Sequence, residues 1–217
     1  MNMTSDRKHA LIVLLALCVV ILVGCGGANS APSTSTPSTS PVGTQQGSAS
    51  AEQPIPAINP TQASGSDIPD TQVFVTYTSS QGQYQLDVPE GWAQKTSGTD
   101  VNFVSNLNSL QVTLTNATTR PTASSVRNDQ AVTLQHTGRA IRDVQVQDVQ
   151  LPNGPAVLIT YTSNSDPNPV TNKQVRLENN RYLFFHNGKL AILTLSAPVG
   201  ADNVDQWARI ARSFKWV

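Results

Sequence analysis

The sequence predicts an α+β fold, an antiparallel sheet covered by helices, preceded by a disordered tether. Three observations predict it. From residue 73 onward, short segments of alternating apolar residues are joined by tight-turn dipeptides, which pairs neighbouring strands antiparallel. A helix-period apolar stripe lies near the end of the chain. Ahead of both, residues 26–70 hold nine Ser, five Thr and seven Pro with no Lys or Arg, and all 12 aromatic residues lie after position 71.

The chain divides into three zones: a leader over 1–24, a polar stretch over 25–70 and a globular domain over 71–217. The leader has a basic start at Arg7 and Lys8, then an unbroken apolar run from Ala10 to Val23. That run is of signal-peptide length and too short to span a bilayer. It ends in Leu22-Val23-Gly24-Cys25, which resembles the lipobox of bacterial lipoproteins. The resemblance implies a signal peptide cut before Cys25, a lipid attached to its thiol, and a protein held on the extracytoplasmic face of the cell membrane. One acyl chain binds a bilayer only reversibly, so durable anchoring takes two or three. Cys18 would leave with the leader, so no disulfide is expected. The polar stretch has Val42, Ile55, Ile58 and Ile68 as its bulky apolar residues. That is too little to offset ordering entropy, so the whole of 25–70 reads as a disordered spacer reaching roughly 35–40 Å.

Within the domain, Val73, Val75 and Tyr77 alternate, and Ser79-Ser80-Gln81-Gly82 turns the chain. Tyr84, Leu86 and Val88 form the next strand, stopped by Pro89-Glu90-Gly91, since Pro lacks a ladder donor and Gly accepts positive φ. Val101–Val104 is a short strand; Leu110, Val112 and Leu114 alternate with polar partners. Residues 125–137 read as one helix, with Ser124 or Ser125 as cap and Gly138 as stop. Val144 and Val146 share one parity and Val149 and Leu151 the other, which predicts a bulge or a bend near Gln147-Asp148. Asn153-Gly154 signals a hairpin into Ala156–Thr162, and 163–172 is a loop. Val175 and Leu177 begin a strand that Asn179-Asn180 turns into Tyr182–Phe185. Asn187-Gly188 then turns the chain into Leu190–Leu195. The last strands are apolar on both parities, which places them centrally with both faces covered. The final helix, capped by Asp202 or Asn203, carries Val204, Trp207, Ala208, Ala211 and Phe214 on one face.

Two segments carry a further resemblance: Tyr84-x-Leu86-x-Val88-Pro89-x-Gly91-Trp92, and the hairpin Tyr182–Phe185 with Leu190–Leu195 running through Ala197-Pro198 into the Trp207/Phe214 helix. Over residues 71–217 the chain resembles the PsbP-like family of α/β/α sandwiches. The resemblance implies that fold and an accessory or binding role without catalysis. The ion-binding residues of the photosystem protein have no counterpart motif here.

Charge narrows the partner classes. The chain holds 14 Lys+Arg and 14 Asp+Glu, and charged residues are 13% of it, about half the usual share. A balanced charge argues against a nucleic-acid binder. His136 and His186 have no metal-ligand spacing, and no cofactor motif is present. Ser196, His186 and an aspartate could be assembled on paper as a nucleophilic triad, but no Gly-x-Ser-x-Gly elbow is present. Arg120, Arg127, Arg139 and Arg142 could form a basic face around the first helix, or simply a solvated one. Asn116-Ala117-Thr118 fits a glycosylation sequon. Trp92 and Trp207 read as core, and Trp216 has no assignment. The sequence therefore predicts a non-enzymatic, lipid-anchored envelope protein binding an unidentified protein, lipid or envelope polymer. The alternatives are a carrier of a small apolar ligand or lipid and, behind it, a hydrolase.

Overall fold

The computed structural model describes residues 52–217. Cys25, the leader and residues 25–51 of the expected tether lie outside the described residues. After a short helix α1 (Pro60–Ala63) and a 3₁₀ turn (Ser64–Ser66), the chain forms β1 (Phe74–Ser79), β2 (Tyr84–Pro89), β3 (Ala93–Ser97), β4 (Asp100–Ser105) and β5 (Asn108–Asn116). Helices α2 (Ala123–Asn128) and α3 (Gln130–Thr137) follow, then β6 (Arg142–Leu151), β7 (Gly154–Asn164), β8 (Arg176–His186), β9 (Lys189–Pro198), α4 (Val204–Ser213) and β10 (Lys215–Trp216).

Seven strands make one sheet in the order β3-β4-β5-β9-β8-β7-β6, and β1-β2-β10 make a second. Every pair is antiparallel, as the turn dipeptides predict. The seven-stranded sheet has two covered faces. Ala156, Leu158, Tyr182, Phe184, Leu193 and Leu195 pack with Trp207, Ile210 and Phe214 of the α4 region and with Tyr84 and Leu86 of β2. Val157, Ile159, Leu183 and Ile192 point the other way, onto Ala123, Val126 and Ala131 of α2 and α3. The fold is thus the predicted antiparallel sheet between helical layers, with the small sheet sharing the α4 side. The centre of that side is an aromatic stack. Phe214 lies between Phe184 (4.1 Å between centroids, 14°) and Tyr84 (5.6 Å, 18°).

Several expectations are corrected. The single helix over 125–137 is two helices broken at Asp129, whose φ −123° and ψ −78° are not helical. Val126 and Ala131 are five residues apart, off the helical period, so a straight helix could not lay both on the sheet. Thr122 is the cap: its Oγ1 accepts from Ser125 N while Ser125 Oγ accepts from Thr122 N, a reciprocal capping box. The bulge lies between Arg142 and Gln145, where Asp143 has φ 56°. The parity switch further along β6 has another cause: Val146 packs on one face and Val149 on the other. Asn179-Asn180 is no turn; β8 runs unbroken through it. Asn179 is buried, donates to Tyr161 O and Ser163 Oγ and accepts from Ser196 Oγ at 2.6 Å. Phe214 follows α4 rather than belonging to it, Val204 is exposed, and Ile210 takes the buried position.

The expected spacer also ends earlier than residue 70, because residues 52–70 lie on the domain. Ala63 and Ile68 are buried. Asn203 accepts from Ile68 N at 2.6 Å and donates to Ser66 O and Asn108 Oδ1. Asp67 accepts from Asp202 N, and Asp70 from Gln206. Sparse apolar residues suffice here because buried amide side chains satisfy the segment's backbone.

Candidate functional site

The sheet has two unlike ends. At one, β7 finishes and β8 begins. Arg176 is buried there and donates to Ala140 O, Asn164 Oδ1 and Thr162 Oγ1 at 2.6–3.0 Å. Glu52 docks alongside, 3.1 Å from Arg139, and accepts from Asn164 and Gln174. These amide hydrogen bonds, with the Arg139 charge, hold the Glu52 carboxyl below its ordinary pKa. Ile55 N donates to Asn164 Oδ1, so the chain reaches the domain at this end.

The other end carries the β8–β9 turn, the β6–β7 turn, the 117–122 segment and β10. Asn187 and Gly188 have φ 45° and 77°, the doubly positive pair that the predicted two-residue turn requires. Asn153, in the β6–β7 turn, donates to Arg212 O and Phe214 O. It thereby closes the C-terminus of α4 and places β10. Ala117 N donates to Gly188 O, which fixes the start of the 117–122 segment against the turn. These contacts set His186 and Trp216 face to face, 5.8 Å apart at 25°. The Asn187 amide lies 3.0 Å from His186 Nε2, and Lys189 Nζ donates to Gln83 Oε1 at 2.8 Å.

A run of hollows surrounds this end. A groove of about 460 Å³ lies between the end of β5 and the start of α2 and α3, lined by Asn116, Thr118, Thr119, Ser125 and Asp129 among others. Pro121 is shared with the next hollow, and Arg120, Pro155 and Phe185 join that one to a third. His186 and Trp216 form the common wall between the third and a fourth of about 260 Å³. Arg120, Lys189 and Lys215 stand along the run, and no acidic side chain lines the two hollows that share Trp216. A separate hollow of about 150 Å³ beside Trp207 holds Glu178 and Asn180. Burial there pushes the Glu178 carboxyl above its usual range.

The residues singled out in sequence fall into distinct places. His186 and Ser196 do not converge. His186 pairs with Lys189 at one end of β9, and Ser196 lies seven residues further along, roughly 23 Å away. His136 is exposed on the last turn of α3. The four arginines are dispersed: Arg127 donates to Val146 O, Arg139 pairs with Glu52, Arg142 donates to Ile141 O, and Arg120 alone stands on the run of hollows. Among the described residues, no three His, Cys, Asp or Glu side chains converge as metal ligands. Trp92 is half-buried against the core and Trp207 is buried. Asn116 is exposed in the groove. Sequence reasoning missed Trp216, Lys189 and Lys215. The signals available were two: His186 and Lys189 flanking a turn dipeptide, and Lys215-Trp216 following an amphipathic helix.

The chain matches no protein-family model and no curated protein. Among solved structures it is similar to cyanobacterial PsbP (CyanoP) from Synechocystis sp. PCC 6803, at 16% identity and TM-score 0.48 over 70% of this chain and 98% of that one. It is also similar to the Saccharomyces cerevisiae Ran-binding protein Mog1p, at 10% identity and TM-score 0.46 over 68% of this chain and 97% of that one.

Proposed function

We propose that this chain is a lipid-anchored protein of the extracytoplasmic membrane face, attached through Cys25, whose domain is a non-catalytic binding module. One observation carries the reading. The chain enters the domain at the Glu52 end of the sheet, and the run of hollows lies at the opposite end, about 33 Å away along β8. A tether joined to one end leaves the other free to meet a ligand. The separation of His186 from Ser196 favours binding over hydrolysis. The carrier alternative is less favoured, because the space between sheet and α4 is filled by stacked Tyr84, Phe214 and Phe184.

The test of anchoring is fractionation of cells expressing Cys25→Ala. The expected result is wild type in the membrane and the variant in the medium or periplasmic fraction. A variant that stays in the membrane contradicts the anchor. With ester and glycoside substrates, the expected result is turnover by neither the wild type nor the His136→Ala/His186→Ala variant; a turnover by the wild type that the double variant loses contradicts the non-catalytic reading.

A further inference from the structure

The hollows at the turn end share three properties that together select a ligand. They are elongated: four depressions joined through Pro121, Arg120 and the His186–Trp216 wall curve round one end of the molecule. That shape suits a linear chain better than a compact molecule. Their polar lining is largely hydroxyl and amide, with Thr118, Thr119 and Asn116 in the groove and Asn153 beside Trp216. Such groups exchange donor and acceptor roles with sugar hydroxyls. Flat rings interrupt them, the half-buried Trp216 and Phe185, and an indole offers an apolar face with a polar edge.

Charge supplies the remaining term. Arg120 and Lys215 are exposed and Lys189 is half-buried. Two acidic side chains line the run. Asp148 accepts from Ala123 N at 2.8 Å and so is held as a cap for α2. Asp129 lies at the far, helix side of the groove. The cations thus concentrate around Trp216 and the acids at the α2–α3 side. A ligand lying along the run would place its negative groups at the Trp216 end.

We propose that the turn end binds an anionic glycan, with a sugar ring on Trp216 and its carboxylate or phosphate groups facing Arg120, Lys189 and Lys215. The proposal rests on the reading of this domain as a binding module, and it does not depend on the Cys25 anchor. The mainly apolar hollow of the run, lined by Pro121, Pro155, Ala156, Leu183 and Phe185, is only about 200 Å³ and is flanked by hollows that carry hydroxyl, amide and cationic groups.

The test uses the full chain with Cys25→Ala, which carries no lipid to insert into vesicles, and four probes: an oligogalacturonate, its methyl-esterified neutral form, inorganic polyphosphate, and vesicles of anionic phospholipid. The expected result is that oligogalacturonate binds best and that raising salt from about 50 to about 200 mM weakens it steeply. Trp216→Ala should weaken it roughly tenfold, the scale of a ring stack. Because Trp216 also touches Phe214, Arg120→Gln with Lys215→Gln serves as the second variant. Both residues are exposed, and the pair should weaken oligogalacturonate while leaving the melting temperature unchanged. Equal binding of the neutral form overturns the proposal, as does tighter binding of polyphosphate or vesicles, or binding that neither variant alters. Failure of all four probes with the Cys25 fractionation intact removes the glycan and leaves the anchored binding module standing.

Discussion

The two ends of the seven-stranded sheet are built from the same strands and differ in how their polar groups are used. At the Glu52 end the polar groups are matched to one another, save the buried Arg139 Nε, which has no hydrogen-bond partner. Arg176 is buried among three acceptors, Asn164 serves Ile55, Arg176 and Glu52 at once, and Arg139 is ion-paired. At the turn end Arg120 and Lys215 are exposed beside open hollows, and the rings there are only partly covered. The contrast separates attachment from recognition. Satisfied buried groups rigidify and specify a structure. Cations left at a rim are available to a partner and contribute little to folding.

The turn end stands on the aromatic stack beneath it. Phe214→Ala removes a ring stacked on both sides and leaves a cavity, and should cost about 3–5 kcal/mol in urea denaturation. If it costs less than about 1 kcal/mol, the aromatic stack is not what supports the hollows. Next is the join between the docked segment and α4. Asn203→Ala strands Ile68 N and Asn108 Oδ1 and should cost about 1–3 kcal/mol. It should also speed hydrogen exchange at Ile68 before any loss at the turn end. Exchange that rises equally at both ends would merge the two regions into one.

These expectations also show what the sequence made legible. Asn187-Gly188 was readable because only a few residues accept two successive positive φ values. The twofold apolar parity of β8 and β9 was readable because both faces are covered. Asn179-Asn180 misleads because asparagine favours turns locally, and its partners Tyr161, Ser163 and Ser196 lie on other strands. The edge strand β3, Ala-Gln-Lys-Thr-Ser, is exposed throughout, so no burial pattern marks it. The docked part of 52–70 was hidden in Ser/Thr/Pro composition, because the groups that hold it are Asn108, Asn164 and Asn203, far along the chain. The site was least legible. Arg120 stood out among neighbours in sequence that the fold disperses, while Lys189, Lys215 and Trp216 are brought to it by two turns and a helix end.

A smaller effect concerns pH. Glu52 has a lowered carboxyl pKa in the folded chain, so its contribution is fully present above the unfolded value, about 4.3, and is lost as pH falls through the lower folded value. Protease cleavage within 52–58 should therefore stay slow at pH 5 and accelerate under stronger acid. Glu52→Gln should make that cleavage pH-independent across the acid range. Acceleration already at pH 6 would place the control elsewhere. The smallest effect belongs to the rim: Arg120→Gln should change stability by no more than about 0.5 kcal/mol. A larger loss would mean that Arg120 is structural, and the two ends would then be alike.

If the proposed function holds, this domain is held by one end and meets its ligand with the other. The most direct measurement is photo-crosslinking in intact cells from a benzophenone side chain at Lys189, compared with one at Val170, which is 89% exposed in the loop beside the Glu52 end. A heavy adduct is expected from position 189 and none from 170. An adduct from 170 with none from 189 would contradict it.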